Sequence, residues 1–155
     1  EPAMKELEIH SALQIGKPKD VVFEAIVDPD KMSNYFISES SGRMEEGETL
    51  TWKFPEFDMR FPVELTRIKK DELVEFKWEG NPGKTLKVEI KLESVGNNAT
   101  LVKITEGKME NDKEGLEWYG RNSGGWANFL ACMKAYLEYD INLRKGGFDF
   151  MKGEM

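Results

Sequence analysis

Leu7, Ile9, Leu13 and Ile15 alternate with Glu8, His10, Ala12 and Gln14 near the start of the chain. A period of two with one apolar side predicts a half-buried strand. Lys17-Pro18-Lys19-Asp20 ends it, and Pro18 suits a first helical turn. Val22, Phe23, Ile26 and Val27 then recur at helical spacing. Asp28-Pro29 predicts a second short helix, with Asp28 as its cap and Pro29 at its first position, carrying Met32, Tyr35 and Phe36.

From residue 37 to 109 the alternation returns to period two. Leu50, Trp52 and Phe54 form one apolar face, and Val74, Phe76 and Trp78 form another. Between them, Phe57, Met59, Phe61, Val63 and Leu65 share a face, with Glu56, Asp58, Arg60 and Glu64 opposite. Leu86, Val88, Ile90 and Leu92 alternate with Lys87, Glu89, Lys91 and Glu93, and Val102 and Ile104 mark a further strand. Glu45-Glu46-Gly47, Pro55, Gly80-Asn81-Pro82-Gly83 and Gly96-Asn97-Asn98 supply the turns. Consecutive strands with short turns predict an antiparallel meander, apolar on one side only.

The cover for that side is expected after Gly125. Trp126, Leu130, Met133, Leu137 and Ile141 form a helical stripe that Phe129 and Tyr136 widen, with Gly146-Gly147 as its stop. About 20 helical residues span roughly 30 Å, the width of a small domain. The predicted class is α+β: a curved antiparallel sheet of about seven strands, two short helices, and a long C-terminal helix packed across the sheet. One domain is expected over residues 4–145, followed by a tail over 146–155. Met4 is read as the natural start, with the three residues before it an expression remnant.

With 29 acidic and 22 basic residues, the net charge is -7. That argues against non-specific nucleic-acid binding, which needs a basic footprint, and against an anionic membrane surface. No apolar run approaches the roughly 18 residues of a membrane span, and the N-terminus lacks the pattern of a signal peptide. Cys132 is the single cysteine, so no internal disulfide forms and a reducing cytoplasm is the expected compartment. The Asn98-Ala99-Thr100 sequon is then a chance match.

Three stretches carry a resemblance to a known family. Pro18 through Pro29 pairs a proline with an aromatic, Phe23, in the first helix and closes on Asp28-Pro29. Leu101-Val102-Lys103-Ile104-Thr105-Glu106 resembles a last strand. Gly125-Trp126-Ala127-Asn128-Phe129-Leu130, continuing through Lys134-Ala135-Tyr136-Leu137-Glu138, resembles the opening of a last helix. In this order, over about residues 7 to 145, the chain resembles the branch of the START-like (SRPBCC) superfamily related to the activator of Hsp90 ATPase. The resemblance implies a helix-grip fold with a cavity between sheet and last helix. It implies no universal active site, because members include lipid carriers, polyketide cyclases and co-chaperone domains.

Motif chemistry removes several classes. The sequence has no phosphate loop, no dinucleotide glycine motif and no nucleophile elbow. One His and one Cys cannot assemble the familiar zinc sites, so neither metal nor cofactor is expected. His10 is read as a surface or rim residue, with a cavity base the alternative; Cys132 is read as a small buried hydrophobe rather than a reactive thiol. Trp118 and Tyr119 are placed in the connection before the helix, at the rim of the cavity or packed over its mouth. Met32, Met44, Met59, Met109 and Met133 are assigned near the core. The acidic run Glu106, Glu110, Asp112, Glu114 and Glu117 is read as a solvated loop.

The expected cavity wall is formed by Trp52, Phe54, Phe61, Phe76 and Trp78 from the sheet. Trp126, Phe129, Leu130, Met133 and Leu137 face them from the helix. Aromatic walls with few polar groups suit a small hydrophobic molecule, the leading expectation. Arg43, Arg60 and Arg121 are the candidates for pairing with a ligand carboxylate, although strand alternation points Arg60 outward. Two alternatives stand beside binding. One is an Hsp90-type co-chaperone or protein-interaction domain. The other is a polyketide cyclase-like enzyme, for which His10, Glu39, Arg43 and Thr105 are the candidate ionisable or polar groups. Either a monomer or a homodimer is expected.

Overall fold

The alternating stretches become seven strands of one antiparallel sheet in the computed structural model, which describes residues 5–154. The expected start at Met4 lies outside the described residues. In chain order the elements are β1 (Glu6–Ile15), α1 (Lys19–Val27), α2 (Pro29–Met32), β2 (Glu39–Ser40) and β3 (Thr49–Lys53). They continue with β4 (Arg60–Lys69), β5 (Leu73–Asn81), β6 (Lys84–Val95), β7 (Ala99–Glu110) and α3 (Lys113–Tyr139), and close on a 3₁₀ turn at Asp149–Met151. The sheet order is β1-β7-β6-β5-β4-β3-β2, so β2 to β7 form a meander and β1 closes on its last strand.

The apolar faces read from the sequence meet in one core. Ile9, Ile15, Trp52, Val63, Leu65, Phe76, Val88, Ile90, Val102 and Ile104 are buried together with Trp126, Phe129, Leu130 and Met133 of α3. The α+β helix-grip arrangement follows from this: α3 lies over the apolar face and leaves the charged face to solvent. Asp28 caps α2 as expected, its carboxylate accepting from the Asp30 N–H at 2.9 Å, with Pro29 beside it. That helix is only one turn, however, and Tyr35 and Phe36 lie in the turn after it.

Three other expectations are corrected. First, α3 begins a dozen residues before Gly125, because the Asp112 side chain accepts from the Gly115 N–H at 2.8 Å and nucleates it there. Most of the presumed acidic loop is therefore the end of β7 and the start of α3, and Trp118 sits fully buried within the helix. Second, α3 ends at Tyr139 rather than at Gly146-Gly147. Asp140 takes up the left-handed conformation (φ 54°), its N–H and that of Ile141 turn back on the last carbonyls, and Ile141 leaves the stripe half-exposed. Third, residues 54–59 form a turn between β3 and β4, so strand parity does not apply to them. Met59 is exposed there, whereas Met32, Met44, Met109 and Met133 are buried, and Glu56, expected on the outer face, is buried.

Candidate functional site: an aromatic cavity under the last helix

The sequence places aromatic side chains on neighbouring strands at the same parity, so they converge where the sheet curls against α3. Trp52, Phe61, Phe76 and Trp78 pack edge-on or tilted in one cluster, with ring centres 5.5 to 6.4 Å apart. Trp78 touches Trp126 of α3 at 5.6 Å, and Phe36 bridges to Phe129 at 4.7 Å. Beside this cluster a cavity of about 420 Å³ remains unfilled. Tyr35, Phe36, Phe54, Trp78, Trp126 and Phe129 wall it on the body side. The far side is formed by Glu56 and Phe57 of the β3–β4 turn and by Arg144, Phe148, Phe150 and Met151, which follow α3.

Of the ten side chains expected to line a cavity, Phe54, Trp78, Trp126 and Phe129 do so. Trp52, Phe76, Leu130 and Met133 are buried in the core behind the wall, and Phe61 and Leu137 pack against that core. Of the three arginines, Arg43 pairs with Glu24 and Arg60 with Glu39 on the surface, while Arg121 lines the cavity and donates to Asn81 Oδ1 at 2.7 Å. None of the four candidate catalytic groups reaches the cavity lining. His10 is exposed beside Glu8, Glu39 and Arg43 are exposed in the pairs just named, and Thr105 lies on the opposite face of β7 from Ile104. Trp118 and Tyr119 do not line it either. Cys132 does, and burial pushes its thiol pKa up against the opposing charge of Arg144.

Two polar arrangements were not anticipated. Behind the wall, the fully buried Glu106 carboxylate accepts three hydrogen bonds from neutral donors. Trp78 Nε1 reaches Oε2 at 2.7 Å, while Asn122 Nδ2 and Trp126 Nε1 reach Oε1 at 3.0 and 3.1 Å. Burial raises its pKa above the ordinary value, opposed by those three bonds and by the charge of Arg121. Glu106 thus fixes the orientation of two tryptophans and one asparagine that line the cavity. The signal was present in the sequence: Val102, Ile104 and Glu106 share one parity, so a strand that continued would bury Glu106.

The second arrangement lies in the cavity wall. Arg144 donates to both oxygens of Glu56 at 2.9 Å, with only 12% and 3% of the two side chains exposed. The guanidinium also lies over the rings of Phe54 and Phe148, 5.5 and 4.9 Å from their centres. No sequence spacing links residues 56 and 144, so only the fold reveals this pair. Among the described residues, no group of three or more His, Cys, Asp or Glu side chains could hold a metal ion, and no helix is long and apolar enough to cross a membrane.

Comparison with known proteins places this geometry. The family model described as Activator of Hsp90 ATPase homolog 1-like protein matches residues 17–138. No curated protein matches the chain. Among solved structures, the protein SSP2350 from Staphylococcus saprophyticus is 30% identical, with a TM-score of 0.78 over 89% of this chain and 96% of that one. DynU16, described as a putative protein in the dynemicin biosynthetic locus, is 22% identical, with a TM-score of 0.76 over 87% of this chain and 48% of that one. The Aha1 dimer from Colwellia psychrerythraea is 21% identical, with a TM-score of 0.71 over 86% of this chain and 97% of that one. A match over most of the length, together with a relative of this identity and coverage, has one meaning: the chain belongs to the Activator of Hsp90 ATPase homolog 1-like family.

Proposed function

We propose that this domain binds a small, largely apolar molecule in the cavity between the sheet, α3 and the segment after it. The observation that supports the reading is the cavity itself: about 420 Å³ left open among aromatic rings beside the packed core. Small-molecule sites are typically concave spaces of about 300–1,000 Å³ with mostly apolar walls and few polar groups. The polar contribution here is sparse. Arg144 and Glu56 satisfy each other and the Asn122 amide donates to Glu106 and Gly80, while Arg121 and Asn128 stand at the wall to orient a polar end.

Because Trp78 and Trp126 face the cavity, a bound aromatic or lipid changes indole emission directly. The test is a titration of lipids and planar aromatics followed by tryptophan fluorescence and thermal melting. Saturable quenching with a matching rise in Tm is expected; ligand at 100 times its Kd adds about 2.7 kcal/mol to stability. A flat response to every compound, with the melting curve unmoved, would refute the reading.

The family match favours a second reading, a protein-interaction domain for an Hsp90-type chaperone. A pull-down with such a chaperone and an ATPase assay separate the two. Stimulated ATP hydrolysis that persists when the cavity is filled by mutation supports the chaperone, and loss of ligand response in the same variant supports binding.

A further inference from the structure

We propose that residues 140–151 form a strap pinned against the cavity by the Glu56–Arg144 pair, and that releasing this latch widens access to the cavity and to Cys132. The strap follows the span that the family model matches, which ends at residue 138. Its own packing is slight. Ile141, Leu143 and Phe150 are 51%, 56% and 76% exposed, and its backbone bonds after Ile141 join strap to strap. Among the described residues, the side-chain hydrogen bonds from 142–154 to the rest of the molecule are those from Arg144 to Glu56.

That pair has the properties of a latch. It joins two irregular segments, the β3–β4 turn and the strap, directly at the cavity wall. It is bidentate and largely withdrawn from water, and the aromatic faces of Phe54 and Phe148 clamp the guanidinium. A buried pair gains little net stability over an apolar one, yet loss of either partner strands the other charge in a dry site. Removing one partner therefore parts the strap from the turn, so that water reaches the remaining charge. With α3 and the sheet fixed by the core, the strap and the turn are the parts of the wall that can move.

The cavity contains its own reporter. Cys132 is the only thiol in the chain, lines the cavity and is 6% exposed, so a water-soluble thiol reagent must enter to reach it. The experiment measures the rate of Cys132 modification by 5,5′-dithiobis(2-nitrobenzoate), without denaturant, in wild type, E56Q, R144Q and the exchanged pair E56R/R144E. Both single variants are expected to react at least ten-fold faster, and the exchanged pair to return part of the way to the wild-type rate.

The two single variants separate opening from simple electrostatics. Arg144 favours the thiolate, so R144Q on its charge effect alone would react more slowly, and E56Q faster. Acceleration in both requires opening. Equal or slower labelling of R144Q overturns the latch, as does acceleration in step with a fall in the urea midpoint, which would mark global unfolding instead. The readout needs no ligand, so the latch and the binding proposal stand or fall separately.

Discussion

Gly80 and Glu106 show how one residue determines the space of another. A β-carbon on Gly80 would lie 2.2 Å from Glu106 Oε2 and 2.9 Å from Leu86, and Gly80 occupies the bulge between Glu79 and Asn81. The absent side chain is the room in which the carboxylate receives its indole donors. G80A is therefore expected to lower stability by about 1–3 kcal/mol, read from the urea midpoint. It should also shift tryptophan emission, since the Trp78 and Trp126 bonds must adjust; an unchanged midpoint and spectrum would contradict this account. Glu106 itself carries a pH signature. Its folded-state pKa is raised above the ordinary value of 4.5, so the folded protein holds the proton more tightly than the unfolded chain. Its stabilising contribution is full below that value and falls as pH rises through the folded-state pKa. Compared with E106Q by urea titration, the wild type should lose relative stability as pH is raised from about 4 to 7. A difference that grows with pH would reverse the sign and the explanation.

At the scale of the element, α3 combines a poor helix sequence with a firm position. Gly120, Gly124 and Gly125 lie in its interior, where each costs about 1 kcal/mol relative to alanine. Nothing stands within 4 Å of where a β-carbon would be at any of them. Their surroundings differ all the same: Gly124 and Gly125 line the cavity and Gly120 does not. G120A is expected to stabilise the protein by about 0.5–1 kcal/mol and leave ligand response intact. G125L gains the same helical preference but projects into the cavity, so it should abolish tryptophan quenching while the protein stays as stable as wild type or more so. Equal ligand response in the two variants would place the binding space elsewhere. The ends of the helix depend on local chemistry, and D112A is expected to cost about 1 kcal/mol through loss of the bond to the Gly115 N–H.

For the whole molecule, alternation along the chain was enough to locate every strand except the two-residue β2, the apolar side of the sheet and the identity of its cover. The physical reason is that side-chain direction in a strand or helix depends on spacing alone, so Leu86-Val88-Ile90-Leu92 and Trp126-Leu130-Met133 state their own burial. The same rule misled where the chain was not regular. Glu56 was assigned outward as part of a strand that begins only at Arg60, and the acidic run from Glu106 was read by composition although β7 continues through it. Only the tertiary structure decided which aromatics face open space and which face each other. Trp52 and Trp78 share the apolar side of the sheet, yet Trp52 is closed off by Phe36, Phe61 and Phe76, while Trp78 reaches the cavity. A cavity is the volume left after distant segments have packed, and the Glu56–Arg144 pair joins residues 88 positions apart in its wall. Neither is a property of any local pattern, because each exists only once the sheet has curled and the strap has folded back over it.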